Sequence, residues 1–141
     1  MNKSRAGQQY QAINAQTGVV DADPHRLIQM LYAGALEQIS VAKGCMQRDD
    51  LAGKGHAIGK AISIVGGLRD SVNADAGDAA LTDNLSALYE FATRRLSEAN
   101  ANNEEHGLDE AADVLRQLQA GWNDIRPEAL AQFKAGESQP A

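Results

Sequence analysis

Between Pro24 and Arg48 the apolar side chains return every three or four residues: Leu27, Ile28, Leu31, Tyr32, Ala35, Leu36, Ile39, Ala42, Cys45 and Met46. At about 100° per residue this set spreads over roughly half of a helix circumference, whereas a helix that faces only a core needs about a third. The surplus predicts a helix wedged between two neighbours, or one that keeps part of its apolar side for a guest. Asp23 is placed to cap the free N–H groups of the first turn, and Pro24 supplies a pre-set φ where no donor is needed.

The same period recurs three more times. From about Leu51 to Asn73 the repeat is Ile58, Ile62, Val65, Leu68 and Val72, after a turn at Asp49 and Asp50 whose carboxylates suit a helix N-terminus. Residues 74–78 read as a loop, with Asp78 or Thr82 able to cap a third helix that carries Leu81, Leu85, Leu88, Phe91 or Ala92, Leu96 and Ala99 in one row. A fourth helix carries Leu108, Ala111, Leu115, Leu118, Trp122 and Ile125 until Pro127 stops it. Four amphipathic helices joined by short turns predict an all-α, antiparallel four-helix bundle. Residues 1–22 read as a mobile N-terminal arm, 23–126 as the bundle and 127–141 as a flexible tail. In that tail Ala129, Leu130 and Phe133 could form one short docked turn of helix. Gly34, Gly59, Gly66, Gly67 and Gly121 fall inside the helical stretches, which implies either close approach between helices or pockets left open on the surface.

Composition sharpens this picture. Hydrophobic residues make up 43% of the 141 but aromatics only 4%, so the interior is built from Leu, Ile, Val and Ala. A net charge of -6 and a pI near 4.9, with no basic stripe, argue against nucleic acid as a partner. The single Cys45 lies on the apolar arc of the first helix, which fits a buried structural thiol and a reducing cytosol. The first residues have no apolar stretch that could act as a secretion signal, and no segment is apolar for long enough to span a membrane.

The search for chemistry gives little. The run G-K-G-H-A-I-G-K-A at 53–61 is superficially like a phosphate-binding loop, but Lys54 and Ala61 stand where that loop needs a glycine and a hydroxyl. His56 is a candidate phosphotransfer histidine of a four-helix domain, with Lys60 four residues on, and the bland alternative is a solvated histidine. No histidine has a Glu three residues before it as in di-iron bundles, and zinc and calcium spacings are absent. The residues therefore nominate neither an enzyme nor a cofactor or metal.

Several quoted segments together resemble the flagellin export chaperones of the FliS family. They are Tyr10 in the arm, P-H-x-L-I-x-M-L-Y-x-G-A at Pro24 to Ala35, K-G-x-A-I-x-K-A-I-x-I-V at Lys54 to Val65, N-L-x-x-L-Y-x-F at Asn84 to Phe91, R-R-L-x-x-A-N at Arg94 to Asn100, and A-x-W-x-x-I ending at Ile125. The resemblance implies a cytosolic bundle that binds the disordered C-terminal segment of flagellin in a hydrophobic surface groove, prevents premature polymerisation and brings flagellin to the flagellar type III export gate. By position it implies a groove lined by Leu27, Ile28, Leu31, Tyr32, Leu36, Ile62, Leu85, Leu88 and Tyr89. Tyr10 and Ile13 would lie across it when the guest is absent, and Trp122 would anchor the bundle end. An arm that covers its own groove can also cover a neighbour's, which allows a swapped homodimer. The alternatives are the phosphotransfer bundle using His56 and a generic helical adaptor with no export role.

Overall fold

The computed structural model describes residues 23–74 and 79–124, which form four helices: α1 (Pro24–Gln47), α2 (Leu51–Ala74), α3 (Ala79–Asn102) and α4 (Glu105–Asp124). The arm, the tail, Ile125 and Asp78 lie outside the described residues. There is no strand among the described residues.

Local chemistry sets the boundaries. The carboxylate of Asp23 accepts the Arg26 N–H at 2.8 Å and Pro24 occupies the first turn, as its sequence position requires. At the other end of α1, Asp49 takes a left-handed conformation at φ 60°, while Asp49 N–H donates to Met46 C=O and Asp50 N–H to Cys45 C=O. These bonds satisfy carbonyls that the helix would leave open. Asp50 then caps α2 by accepting the Gly53 N–H at 3.0 Å, so three residues end one helix and begin the next. Asn103, at φ 56°, does the same for α3, with Glu104 N–H donating to Ala99 C=O. Lys54 is buried and reaches this terminus from α2, donating to Asn100 C=O at 3.0 Å and to Asn103 Oδ1 at 3.1 Å. A cation there also complements the negative end of the helix dipole.

The helices pack as a ring in which α1 meets α2 and α4, and α3 meets α2 and α4. Every adjacent pair is antiparallel. Along the α1–α4 side, Gln29 bonds Asn123, Lys43 bonds Asp109 and Gln47 bonds Glu105. Along the α2–α3 side, Lys54 meets Asn100 and Arg69 meets Glu90. The centre is filled by Leu31, Ile58, Val65, Leu68, Leu96, Leu108 and Leu115, with Ala35, Ala42, Ala61, Ala92, Ala99 and Ala111 fully enclosed between them. Alanine at these points lets helix axes approach closely, which is how a chain so poor in aromatics still packs a core.

The helical glycines range from tightly packed, through ordinary contact at Gly34 and Gly67, to open. A Cβ at Gly107 would lie 2.9 Å from both the Ala99 Cβ and the Arg95 backbone oxygen, so α4 can approach α3 there only without a side chain. At Gly59, Gly66 and Gly121 the space is open, and close approach does not account for them. Gly107→Ala is therefore expected to lower stability by about 1–2 kcal/mol, because overpacking outweighs the propensity gain. Gly66→Ala is expected to raise it by up to about 1 kcal/mol. Denaturant midpoints of the two variants should move in opposite directions, and a shared direction would refute this reading of the α3–α4 contact.

Candidate functional site

The nine side chains expected to line a groove separate by depth. Leu31, Tyr32 and Tyr89 are interior, at 0%, 3% and 2% exposure. Ile28, Leu36, Ile62 and Leu85 are half-buried and packed on the core, Leu27 is half-buried, and Leu88 is exposed. Tyr10 and Ile13 lie outside the described residues.

Tyr32 and Tyr89 meet across the bundle with their hydroxyls 2.7 Å apart. A buried phenol needs a polar partner, and each supplies the other's. Burial pushes both phenols above the ordinary tyrosine range, so the pair is a neutral hydrogen bond within an apolar surround.

The remaining positions fall on different sides of the ring, as their rows along each helix reveal. Residues seven apart lie nearly in line on a helix. Leu36 stands midway between Gln29 and Lys43, both bonded to α4, so it lies on the α1–α4 seam. Leu27 shares a row with Gly34, which backs onto Ile64, and with the exposed Val41, all on the α1–α2 seam. Ile62 stands midway between Gly55, which faces Asn100, and Arg69, which pairs with Glu90, and so lies on the α2–α3 seam. Leu88 shares a row with Leu81 and with Arg95, which bonds Glu110 of α4, and lies on the α3–α4 seam. Each seam thus carries apolar surface, and Leu36 and Ile62 are on opposite flanks.

Toward one end of the bundle the apolar rows of α3 and α4 become more exposed. The inward face of α3 is enclosed at Ala99, Leu96, Ala92 and Tyr89 and becomes half-buried at Leu85, while on the adjoining α3–α4 seam Leu88 is 39% and Leu81 55% exposed. In α4 the enclosed Leu108, Ala111 and Leu115 likewise give way to half-buried Leu118 and Trp122. On the α1 side the same end is closed by a clasp. Trp122 Nε1–H donates to the His25 carbonyl at 3.0 Å, His25 Nε2 lies 2.9 Å from the Trp122 carbonyl, and the two rings stack at 4.8 Å with an 11° tilt. Trp122 was expected as an end anchor. Its partner was not, because the two residues are 97 apart in the chain.

The chemical candidates remain isolated. His56 and Lys60 are exposed on α2. No three His, Cys, Asp or Glu side chains could share a metal ion among the described residues, and no described helix is long and apolar enough to cross a membrane. Cys45 is buried, with Arg48 Nη2 3.6 Å from its sulfur.

Fold and surface define an antiparallel four-helix bundle that leaves apolar side chains on all four seams. The sequence model of the family described as Flagellar protein FliS matches residues 6–129. Flagellar secretion chaperone FliSB of Pseudomonas aeruginosa is 43% identical over 125 residues, which cover 89% of this chain and 98% of that protein. Flagellar secretion chaperone FliS of Vibrio cholerae is 34% identical over 86% of this chain and 88% of its own, and FliS of Salmonella typhimurium is 34% identical over 87% and 91%. The chain belongs to the FliS family of flagellar secretion chaperones. The flagellar secretion chaperone role named for these relatives is a non-enzymatic one.

Proposed function

We propose that the protein is a cytosolic export chaperone that holds the C-terminal segment of flagellin, prevents its premature polymerisation and aids its delivery to the flagellar type III export gate. Family membership supports the chaperone role, and the distribution of apolar surface supports the kind of guest. The carrying observation is that Leu36 and Ile62 lie on opposite flanks while Leu27 and Leu88 occupy the seams between. A compact partner cannot touch all four seams at once. An unfolded chain can, because crossing from flank to flank covers on the order of 20–30 Å, or two to three interhelical spacings, and about 6–9 extended residues span that distance. Ordering such a guest costs entropy, which a long wrapped contact offsets. Leu31, Tyr32 and Tyr89 shape the surface from beneath. Tyr10 and Ile13 of the arm cover guest-binding side chains when no guest is present, which limits exposed apolar surface.

Calorimetric titration of the full chain with a synthetic flagellin C-terminal peptide tests the reading. Binding should be micromolar or tighter, with a heat-capacity change that is negative because apolar surface is buried. Ile62→Asp and Leu36→Asp should each weaken it, since a wrapped guest meets both flanks. An absence of binding by the unmodified chain would overturn the proposal, and loss at one flank only would overturn the wrapped geometry.

A further inference from the structure

The uncovered row of α3 stands next to the point where the described chain leaves α4. Leu85 continues the enclosed stripe of Ala92 and is half-buried, Leu81 and Leu88 on the adjoining seam are exposed, and Gly121 of α4, in the row of Gly107 that packs on α3, presents open space where a side chain would otherwise stand. The chain continues from Asp124 with I-R-P-E-A-L-A-Q-F. In that stretch Pro127 is suited to start a new helical turn, and Ala129, Leu130 and Phe133 fall on one face of it.

We propose that residues 127–133 of the same chain dock on this α3–α4 opening, setting Leu130 and Phe133 against Leu81, Leu85 and Leu88. Reach permits it. The five residues from Asp124 to Ala129 extend up to about 17 Å, neighbouring helix axes are about 8–10 Å apart, and Leu81 to Leu88 spans about 10 Å along α3. A second copy is the poorer occupant, because three leucines offer far less than the roughly 800 Å² per partner of a stable interface. A tethered segment needs no such area, since its linker holds it at an effective concentration in the millimolar range. The N-terminal arm is also less suited. It enters at Asp23 on α1, whose neighbours in the ring are α2 and α4, whereas α3 lies diagonally opposite. The docking needs no guest, but it covers Leu88, which also lies on the seam the proposed guest crosses, so a bound flagellin segment would have to displace the tail there.

Engineered cysteines test it, since Cys45 is the only native one. In a Cys45→Ala background of the full chain, Leu88→Cys and Phe133→Cys should form an intramolecular disulfide under copper phenanthroline at least about tenfold faster than Leu51→Cys with Phe133→Cys, because Leu51 is exposed at the far end of the bundle. Adding Leu130→Asp should slow the first pair toward the control rate. Equal rates for the two pairs would overturn the proposal. So would faster coupling of Leu88→Cys to Tyr10→Cys, which would assign the opening to the arm, or predominantly intermolecular disulfides, which would assign it to a second copy. If Cys45→Ala does not fold, the same pairs are read with the buried Cys45 retained, the disulfides being located by peptide mapping.

Discussion

Leu31→Asp is expected to leave no folded protein at neutral pH. The side chain it replaces is 0% exposed at the centre of the bundle. An unpaired carboxylate there carries a desolvation penalty of several kcal/mol. Losing the leucine adds about 2–5 kcal/mol. The total is comparable to the roughly 5–15 kcal/mol that holds a domain of this size together. Far-UV circular dichroism should report loss of helix. Leu88→Asp is the informative contrast, because its leucine is already 39% exposed and the change should cost about 1 kcal/mol or less. That variant should keep its helical spectrum and lose affinity for a flagellin C-terminal peptide. If instead Leu31→Asp is folded and merely fails to bind, Leu31 is a contact residue, and the depth assigned to it here is wrong.

Tyr32→Phe should destabilise by about 1–3 kcal/mol, since it leaves the buried Tyr89 hydroxyl without its 2.7 Å partner. Removing both hydroxyls in Tyr32→Phe/Tyr89→Phe should recover most of that loss, because no polar atom is then stranded. The pair also has a pH signature. Burial raises both phenols in the folded state, whereas the unfolded chain ionises near the ordinary value of about 10. A raised folded pKa means the stabilisation is whole below about pH 10 and declines as pH rises beyond it, as the unfolded tyrosines lose their protons. Denaturant midpoints measured from about pH 8 to about pH 11 should fall more steeply for the native pair than for the double phenylalanine variant. Parallel slopes would show that other groups carry the alkaline loss.

The local signals in the sequence translated closely into structure, and so did the antiparallel four-helix bundle they predict, but not which side chains meet which neighbour. Asp23, Pro24, the aspartates at 49 and 50 and the apolar spacing mark helix limits because caps and periods act within a few residues. The half-circumference arc of α1 left two readings open, a wedge between neighbours or a reserve for a guest. Much of it is the wedge: α1 packs on both α2 and α4, which takes Leu31 and Tyr32 into the interior. A helical period gives the width of an apolar face but not how many neighbours cover it. Nor does spacing reveal that Leu36 and Ile62 end on opposite flanks, since that depends on the order of helices around the ring. Spacing pairs neither Tyr32 nor Tyr89; only the fold brings their hydroxyls together. Gly107 carried no distinguishing mark, because its close contact exists only after α3 and α4 have met.

The bonds between His25 and Trp122 tie the opening turn of the bundle to its closing one. Neither terminal helix can therefore peel away alone: fraying from the front breaks the back, and the reverse. Such a molecule should melt as a closed hoop rather than from loose strands, with no foldon at either edge that opens cheaply. The proposed wrapped guest would then meet the same closed bundle on each encounter.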